Sequence, residues 1–366
     1  MKLAELIDFF ETVAPSALQE DYDNSGLIVG NKNTEVQKAL LCLDSTEEMV
    51  DEAIREGCDV IIAHHPIVFR GLKRFNGNNY VERTVIKAIQ NNIAIYACHT
   101  NLDNVLKNGV NAKIAEKLGL KNCSILSPKK GQLLKLAVYV PDAHAEAVRN
   151  ALFAAGAGKI GEYDECSFNL QGEGTFRGSE SANPYVGEKG IRHTEHETKV
   201  EMVLPEYALN QTLQAMFLAH PYEEVAYDTH RLMNPSLDIG SGLIGELHKK
   251  HTPDEFLALV KQNMGAKVIR FTETKHDFIE KVAVCGGSGS FLIGNAMAAG
   301  AQAYLTADVK YHEFFDAEKT MMICDMGHYE SEKYTIDLFG SLLSDKFPNF
   351  ATIFSSTQTN PINYYY

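Results

Sequence analysis

At 366 residues, 45% hydrophobic and 22% charged, the chain is long enough for two or three domains around sizeable cores, and no apolar run approaches the ~18 residues of a membrane span. A formal charge of −14 argues against direct nucleic-acid binding, which needs a basic face, but leaves room for a phosphorylated small molecule met by local positive charge or a bound metal. The seven cysteines are scattered and never spaced CxxC, so neither a disulfide framework nor a zinc knuckle is indicated, and the expected setting is the reducing cytoplasm.

In chain order, MKLAELIDFFETV places Leu3, Leu6, Ile7, Phe10 and Val13 at helical spacing, and Glu5, Asp8 and Glu11 exclude a signal peptide. KALLCLD then reads as a strand and STEEMVDEAIREG as a helix, with Ser45 and Thr46 before Glu48 as its start. DVIIAHH, a helix around ERTVIKAIQNN, and IAIYACHTNLD continue the alternation, which predicts βαβ units and a mostly parallel, buried sheet.

Residues 126–235 have a different texture. KLAVYVPDAHAEAVRNALFAAGA and KVEMVLPEYALNQTLQAMFLAHPYEEVAYDTH each carry a strand ending at proline, Pro141 and Pro205, followed by an amphipathic helix, which suggests a small βαββαβ unit inserted into the chain. Between them, GEGTFRGSESANPYVGEKGIRHTEHET is expected as a surface loop, with HTEHE in its solvated part. In HPYEEVAYDTH, Val225, Tyr227 and Thr229 alternate as a strand, which puts His220 at the preceding turn. After residue 236 the α/β alternation returns, with Thr252 as an N-cap and Pro253 at the first helical position. The expected organisation is therefore an α/β fold built from segments 1–125 and 236–366, flanking an inserted α+β domain at 126–235.

Three stretches place imidazoles and carboxylates where apolar strands end, the position at which open α/β sheets hold ligands. They are His64-His65, His99 with Asp103 in CHTNLD, and the i, i+4 pair His328 and Glu332 in GHYESE, whose Glu330 should point elsewhere. Taken singly, a His pair is more often structural, an Asp in a turn more often a cap, and an i, i+4 pair more often a surface contact. Together, three imidazoles and two carboxylates without a thiolate make a set suited to Zn, Mn, Fe, Co or Ni. Five ligands exceed what one open catalytic zinc takes and suit two metals about 3.5–4 Å apart with a bridging carboxylate. GGSGS, residues 286–290, reads either as a tight structural turn or as a phosphate loop through Gly286, Gly287, Ser288 and Gly289. In ADVKYHE, Asp308, Lys310 and His312 read either as a capped polar face or as acid/base and phosphate-binding groups.

YDNSGLIVG, IIAHHPIVF, HTNLD, GGSGS, TADVKYH and GHYESE occur in an order that resembles the NIF-three-like family over essentially the whole chain; its bacterial members are commonly named GTP cyclohydrolase I type 2 homologues. HPYEEVAYD resembles the signature of the insertion in longer members, a ferredoxin-like domain similar to PII and CutA proteins. The resemblance implies two divalent ions per subunit, zinc foremost, ligated by His64, His65, Asp103, His328 and Glu332. It also implies homo-oligomers, often toroidal hexamers. Tyr22 stands where many members have Trp, and Ala307 where Gly is usual.

Two functions fit this reading. One is a metal-dependent hydrolase of a nucleotide or other phosphorylated small molecule, with His312 as general acid and Lys310 and the GGSGS amides on phosphate. The other is a metal-binding regulatory or adaptor protein whose insertion senses a small molecule. In either case His64 is expected on one metal and His65 on the other, with Glu332 bridging and Pro66 turning the chain away.

Overall fold

The computed structural model describes residues 1–365, which form two compact units: Met1–Pro128 with the segment from Asp238 onward, and Lys129–Leu237. Among the described residues no helix is long and apolar enough to cross a membrane, and all seven cysteines are free.

The first unit holds two sheets. One runs in the order Gly26–Val29, Ala94–Ala97, Val60–His65, Lys38–Asp44, Ala351–Phe354, parallel throughout except at the Gly26–Val29 edge. Its inner strands are apolar on both faces because both faces are covered: Ala39, Leu40, Leu41, Cys42 and Leu43 are buried in succession. Met49, Val50 and Ala53 of the helix Glu47–Glu56 and Val85 and Ala88 of Tyr80–Gln90 pack on one face. Leu3, Leu6 and Phe10 of the helix Leu3–Val13 lie on the other, where Phe10 stacks on Tyr96 at 5.3 Å and meets Phe339 edge-on at 5.6 Å. Thr46 is the N-cap of Glu47–Glu56, and Gly57 ends that helix in the left-handed conformation.

The second sheet runs Arg270–Phe271, Met322–Asp325, Ala303–Ala307, Ile279–Ser288, Gly240–His251, Lys121–Pro128. Only its three middle strands, Met322–Asp325, Ala303–Ala307 and Ile279–Ser288, are mutually parallel; the outer strands are antiparallel. The reason lies at 128–238: the chain departs along Lys121–Pro128 and re-enters along Gly240–His251, and these two strands pair antiparallel with Gly240 opposite Pro128. Thr252 caps the following helix through a capping box with Glu255, and Pro253 is its first residue. One core cluster draws on both sheets, from Leu41, Val60 and Tyr96 to Val282 and Leu305.

The second unit has the element order strand Leu133–Pro141, helix Ala145–Ala154, strands Phe168–Phe176 and His193–Pro205, helix Leu209–Ala219 and strand Tyr227–Arg231. Its sheet order, Phe168–Phe176, His193–Pro205, Leu133–Pro141, Tyr227–Arg231, is that of a split β-α-β unit. Leu134, Leu136, Val138, Val140, Val200, Met202 and Leu204 face the helices. The 172–198 stretch, expected as one surface loop, is instead mostly strand: residues 172–176 belong to Phe168–Phe176 and HTEHE opens His193–Pro205, so only 177–192 connects them. Phe168–Phe176 is an edge strand with mostly exposed side chains. Phe168, Leu170 and Phe176 alternate with polar residues, but Gly172 and Gly174 interrupt the apolar face and Phe168 and Leu170 stay exposed, so the strand is held mainly by its ladder from Phe168↔Glu201 to Phe176↔His193.

Candidate metal centre

In the first unit, the carboxyl ends of the parallel strands deliver the imidazoles and acids to one place. His64 and His65 close the strand Val60–His65, and the parallel register sets Asp44 beside His65. Ala94–Ala97 leads into His99 and the short helix Thr100–Asp103. Met322–Asp325 leads through Gly327, at φ +94°, into His328–Glu332.

The five residues nominated by spacing come together around the Glu332 carboxylate, which is buried. Glu332 Oε2 is 3.0 Å from both His65 Nε2 and His328 Nε2, and those two nitrogens are 3.4 Å apart. Glu332 Oε1 is 3.8 Å from His64 Nε2, which in turn is 3.7 Å from Asp103 Oδ1. The donors thus sort into two groups, His65–His328–Glu332 and His64–Asp103–Glu332, with Glu332 common to both. A third grouping joins His99 to His64 and His65. Glu330 turns away and accepts a hydrogen bond from Asn360 at 3.2 Å.

Each imidazole is oriented through its other nitrogen. His64 Nδ1 is 2.9 Å from the Cys98 carbonyl, and His65 Nδ1 is 2.7 Å from Asp44 Oδ1. His328 Nδ1 is 2.7 Å from Asp308 Oδ2, and His99 Nδ1 is 2.7 Å from Asp23 Oδ1. An acceptor on Nδ1 fixes the proton there and leaves Nε2 basic and facing the centre, the arrangement that metal-binding histidines need. Asp23 and Asp44 lie outside the expected set. Their one sequence signal is an acid that ends or neighbours a buried strand, as Asp44 does after ALLCL.

The electrostatics are those of a site short of cations. Burial alone would lower His65, but hydrogen bonds to Asp44 and Glu332 raise it to about 9. Burial opposes protonation of His328 too, yet Glu332 and Asp308 hold it up at about 11. Burial would raise Glu332, but the charge of His328 and the surrounding imidazole hydrogen bonds bring it well below the usual carboxylate range. Asp103, buried beside Glu332, is pushed up to about 7. His64 Nε2 and Asp103 Oδ1 are closed to solvent with no hydrogen-bond partner, although they face each other. Orphaned buried polar atoms of this kind are rare in folded proteins. A divalent cation between them would satisfy both, so the donor set fits a metal.

The GGSGS stretch serves this carboxylate. The Gly286 amide donates to Asn111 Oδ1 at 2.9 Å and the Gly287 amide to Ser331 Oγ at 3.0 Å, so neither is free to cradle a phosphate. Ser288 Oγ donates to Asp308 at 2.6 Å. Gly287 has φ +60°, and a Cβ there would collide with Glu332 Oε1. Asn111 also donates to the Asp103 carbonyl at 3.0 Å, tying the two halves of the site together.

Lys310 and His312 are not brought to the site. Asp308 adopts φ +54° and turns toward His328, and the chain then leaves as an outward 3₁₀ turn, Tyr311–Ala317. Both residues are exposed, and the His312 ring lies against Tyr311 and Phe315 instead of the metal-ligand cluster. They are not among the residues lining the cleft above the cluster.

The cluster floors a cleft of about 790 Å³. Tyr22, Phe69 and Phe291 stand exposed on its walls, and none of its lining residues is Lys or Arg. One wall is the segment Thr359–Ile362. Thr359 Oγ1 donates to Asp44, the acid that orients His65. Upstream, Glu52 anchors this segment by accepting from Ser356 N and Oγ at 2.7 Å and from Ser355 Oγ at 2.8 Å.

Comparison with known proteins agrees with this architecture. A protein from Halalkalibacterium halodurans named GTP cyclohydrolase 1 type 2 homolog is 39% identical over all of both chains, and one of the same name from Bacillus subtilis is 38% identical over 98% of each. A solved Bacillus cereus protein described as related to NIF3 superposes with a TM-score of 0.86 at 39% identity, covering 100% of this chain and 99% of that one. The family model described as Duf34/NIF3 (NGG1p interacting factor 3) matches residues 1–361, and the chain belongs to that family.

Proposed function

We propose that this centre binds two divalent cations and that the protein is a metal-dependent hydrolase of a nucleotide or another phosphorylated small molecule. The observation that carries the reading is the sharing of Glu332: one oxygen serves His65 and His328, the other faces His64 and, through it, Asp103. His64 would thus hold one cation, His65 the other, and Glu332 both. Zinc leads the candidates, and the imidazole and carboxylate donors suit Mn, Fe, Co or Ni as well. A cation pair supplies Lewis acidity, making a nucleophile from water at neutral pH and polarising an electrophilic carbonyl or phosphoryl oxygen.

The protein's own groups then divide the remaining work. Asp44, Asp308 and the Cys98 carbonyl keep the imidazole rings in one tautomer and one orientation. Tyr22, Phe69 and Phe291 offer exposed aromatic faces on the cleft walls against which a heterocycle could lie. With no Lys or Arg on the cleft walls, phosphate charge has to be met by the cations themselves. The name carried by the relatives, GTP cyclohydrolase 1 type 2 homolog, is consistent with a purine nucleotide.

The test is metal analysis of purified protein coupled to a panel of GTP, other nucleotides and phosphoesters under each divalent metal. The expected result is about two equivalents of metal per chain, falling to about one in His64→Ala and in His65→Ala, with turnover lost in both. A single equivalent lost together in both variants would place the two histidines on one ion and sink the dinuclear reading. Two tightly held metals with no turnover across the panel would instead favour the regulatory reading.

Loading should also release protons. His65 at about 9 and His328 at about 11 are protonated in the metal-free site at pH 7, and a protonated imidazole cannot ligate. Metal affinity is therefore expected to rise steeply with pH up to about 9 and less steeply to about 11, with on the order of two protons expelled as the centre fills at pH 7. Calorimetric zinc titrations in buffers of differing ionisation enthalpy measure this directly, and a buffer-independent heat would contradict it.

A further inference from the structure

The HPYEEVAYDTH stretch takes no part in the metal centre, and its place in the second unit assigns it other work. His220 is buried and fixed at both ring nitrogens: Nε2 is 3.0 Å from the Tyr139 carbonyl, and Nδ1 accepts from the Tyr222 amide at 3.1 Å. This pins the turn so that Tyr222, Glu223 and Glu224 stand on the rim of a cleft of about 850 Å³. Glu223 in turn accepts from the Asn183 amide at 2.7 Å, which fastens the 177–192 connection over the same cleft.

The floor of this cleft is the helix-free face of the sheet. Strand pairing sets Gly172 opposite Glu197 and Leu170 opposite Lys199 on that face. A Cβ at Gly172 would meet nothing within 4 Å, so the floor there is bare backbone beneath open space. The walls are aromatic: Phe176 and Tyr185 lie 5.8 and 6.3 Å from the Tyr222 ring, and Tyr185 is held by His144 at 3.1 Å. Tyr222 Oη is closed to solvent and faces the Glu197 carboxylate, and burial together with that charge pushes the phenol up. Charge is biased negative, since Glu197 and Glu224, with Glu223 on the rim, meet only Arg177 and Lys199, and Lys199 is engaged by Glu201 at 2.6 Å.

We propose that this cleft is a second binding site, for a small organic cation with a flat face, such as an amidinium, guanidinium or aryl-ammonium group. The aromatic rings would attract the cation through their π faces, Glu197 would neutralise it, and Tyr222 Oη beside Glu197 would accept from one of the cation's N–H groups. The site lies wholly in the inserted unit and does not depend on the reading of the metal centre.

The experiment uses the full, metal-loaded chain and benzamidinium chloride as probe, with neutral benzamide and anionic benzoate as isosteric controls, by isothermal titration calorimetry. Benzamidinium is expected to bind about tenfold or more tighter than either control, and Glu197→Gln to remove that preference. Gly172→Leu fills the bare floor at a strand position where an added Cβ meets no protein atom within 4 Å. It should abolish binding while leaving metal content and the circular-dichroism melt unchanged. Equal or tighter binding of benzamide or benzoate, or binding that survives Gly172→Leu, overturns the proposal. So does a change of oligomeric state in Gly172→Leu by sedimentation, which would assign the face to a second copy of the chain.

Discussion

Replacing Glu332 with Gln is expected to empty the metal centre of both cations while leaving the fold intact. Glu332 is the one residue common to both donor groups, with Oε2 3.0 Å from His65 and His328 and Oε1 3.8 Å from His64. Gln keeps the volume and one carbonyl acceptor, but it removes the negative charge and the second oxygen. Loss of an outer hydrogen-bond partner of a ligand weakens metal binding about 10–100-fold, and loss of a shared ligand should exceed that for both ions. Elemental analysis after dialysis should therefore read near zero equivalents for Glu332→Gln. Asp44→Asn, which disturbs only the orientation of His65, should retain at least one. The substitution has a second signature. Glu332 is among the groups that hold His65 and His328 protonated, so in metal-free Glu332→Gln both should titrate at lower pH, which proton NMR of the ring signals follows. A Glu332→Gln protein that still carried two metals would refute the bridging role.

Gly287→Ala is expected to damage the site as severely, and the fold as well. The position has φ +60°, where a side chain is strained, and the added Cβ would run into Glu332 Oε1 with His328 Cε1 at 3.3 Å. Neither neighbour can retreat easily, because Ser331 binds the Gly287 amide and Asp308 holds His328. The left-handed strain and the overpacking together should cost about 2–4 kcal/mol, a fall in Tm of roughly 4–10 °C for a unit of this size. Gly286→Ala is the control. Its Cβ would meet Val110 Cγ1 at 3.0 Å and Glu332 Cγ at 3.4 Å in ordinary backbone geometry, so it should lose less stability and keep metal. A Gly287→Ala variant with wild-type melting and full metal content would show that the glycine is there for something other than the carboxylate.

The contrast between those two glycines illustrates where sequence reading succeeds and where it stops. The position of GGSGS between a strand and a helix was legible, but its purpose was not. A glycine that admits a carboxylate from a helix 45 residues later has the same local pattern as one that admits a phosphate. Lys310 and His312 lie apart from the cluster for a related reason. They follow a buried strand as His65 and His328 do, but the left-handed turn at Asp308 sends them outward, and nothing in ADVKYHE announces that φ. Residues 172–176 of the edge strand Phe168–Phe176 were read as loop because Gly172 and Gly174 break the apolar face and backbone pairing holds the strand.

What sequence determined by itself was the kind of residue at each strand end. Buried α/β strands need unbroken apolar runs, so imidazoles and acids just past such a run stand out, and His64-His65, Asp103 in CHTNLD and the i, i+4 pair His328 and Glu332 were nominated together, each being weak alone. Only the tertiary structure decided which of them meet, and what holds them. Asp44 reaches His65 because two strands pair in parallel register, Asp308 reaches His328 across the second sheet, and residues 355–359 return from the far end of the chain to fasten Asp44. These orienting partners are long-range by nature: sequence spacing reports neighbours on one element, whereas a histidine is aimed by whichever element packs beside it.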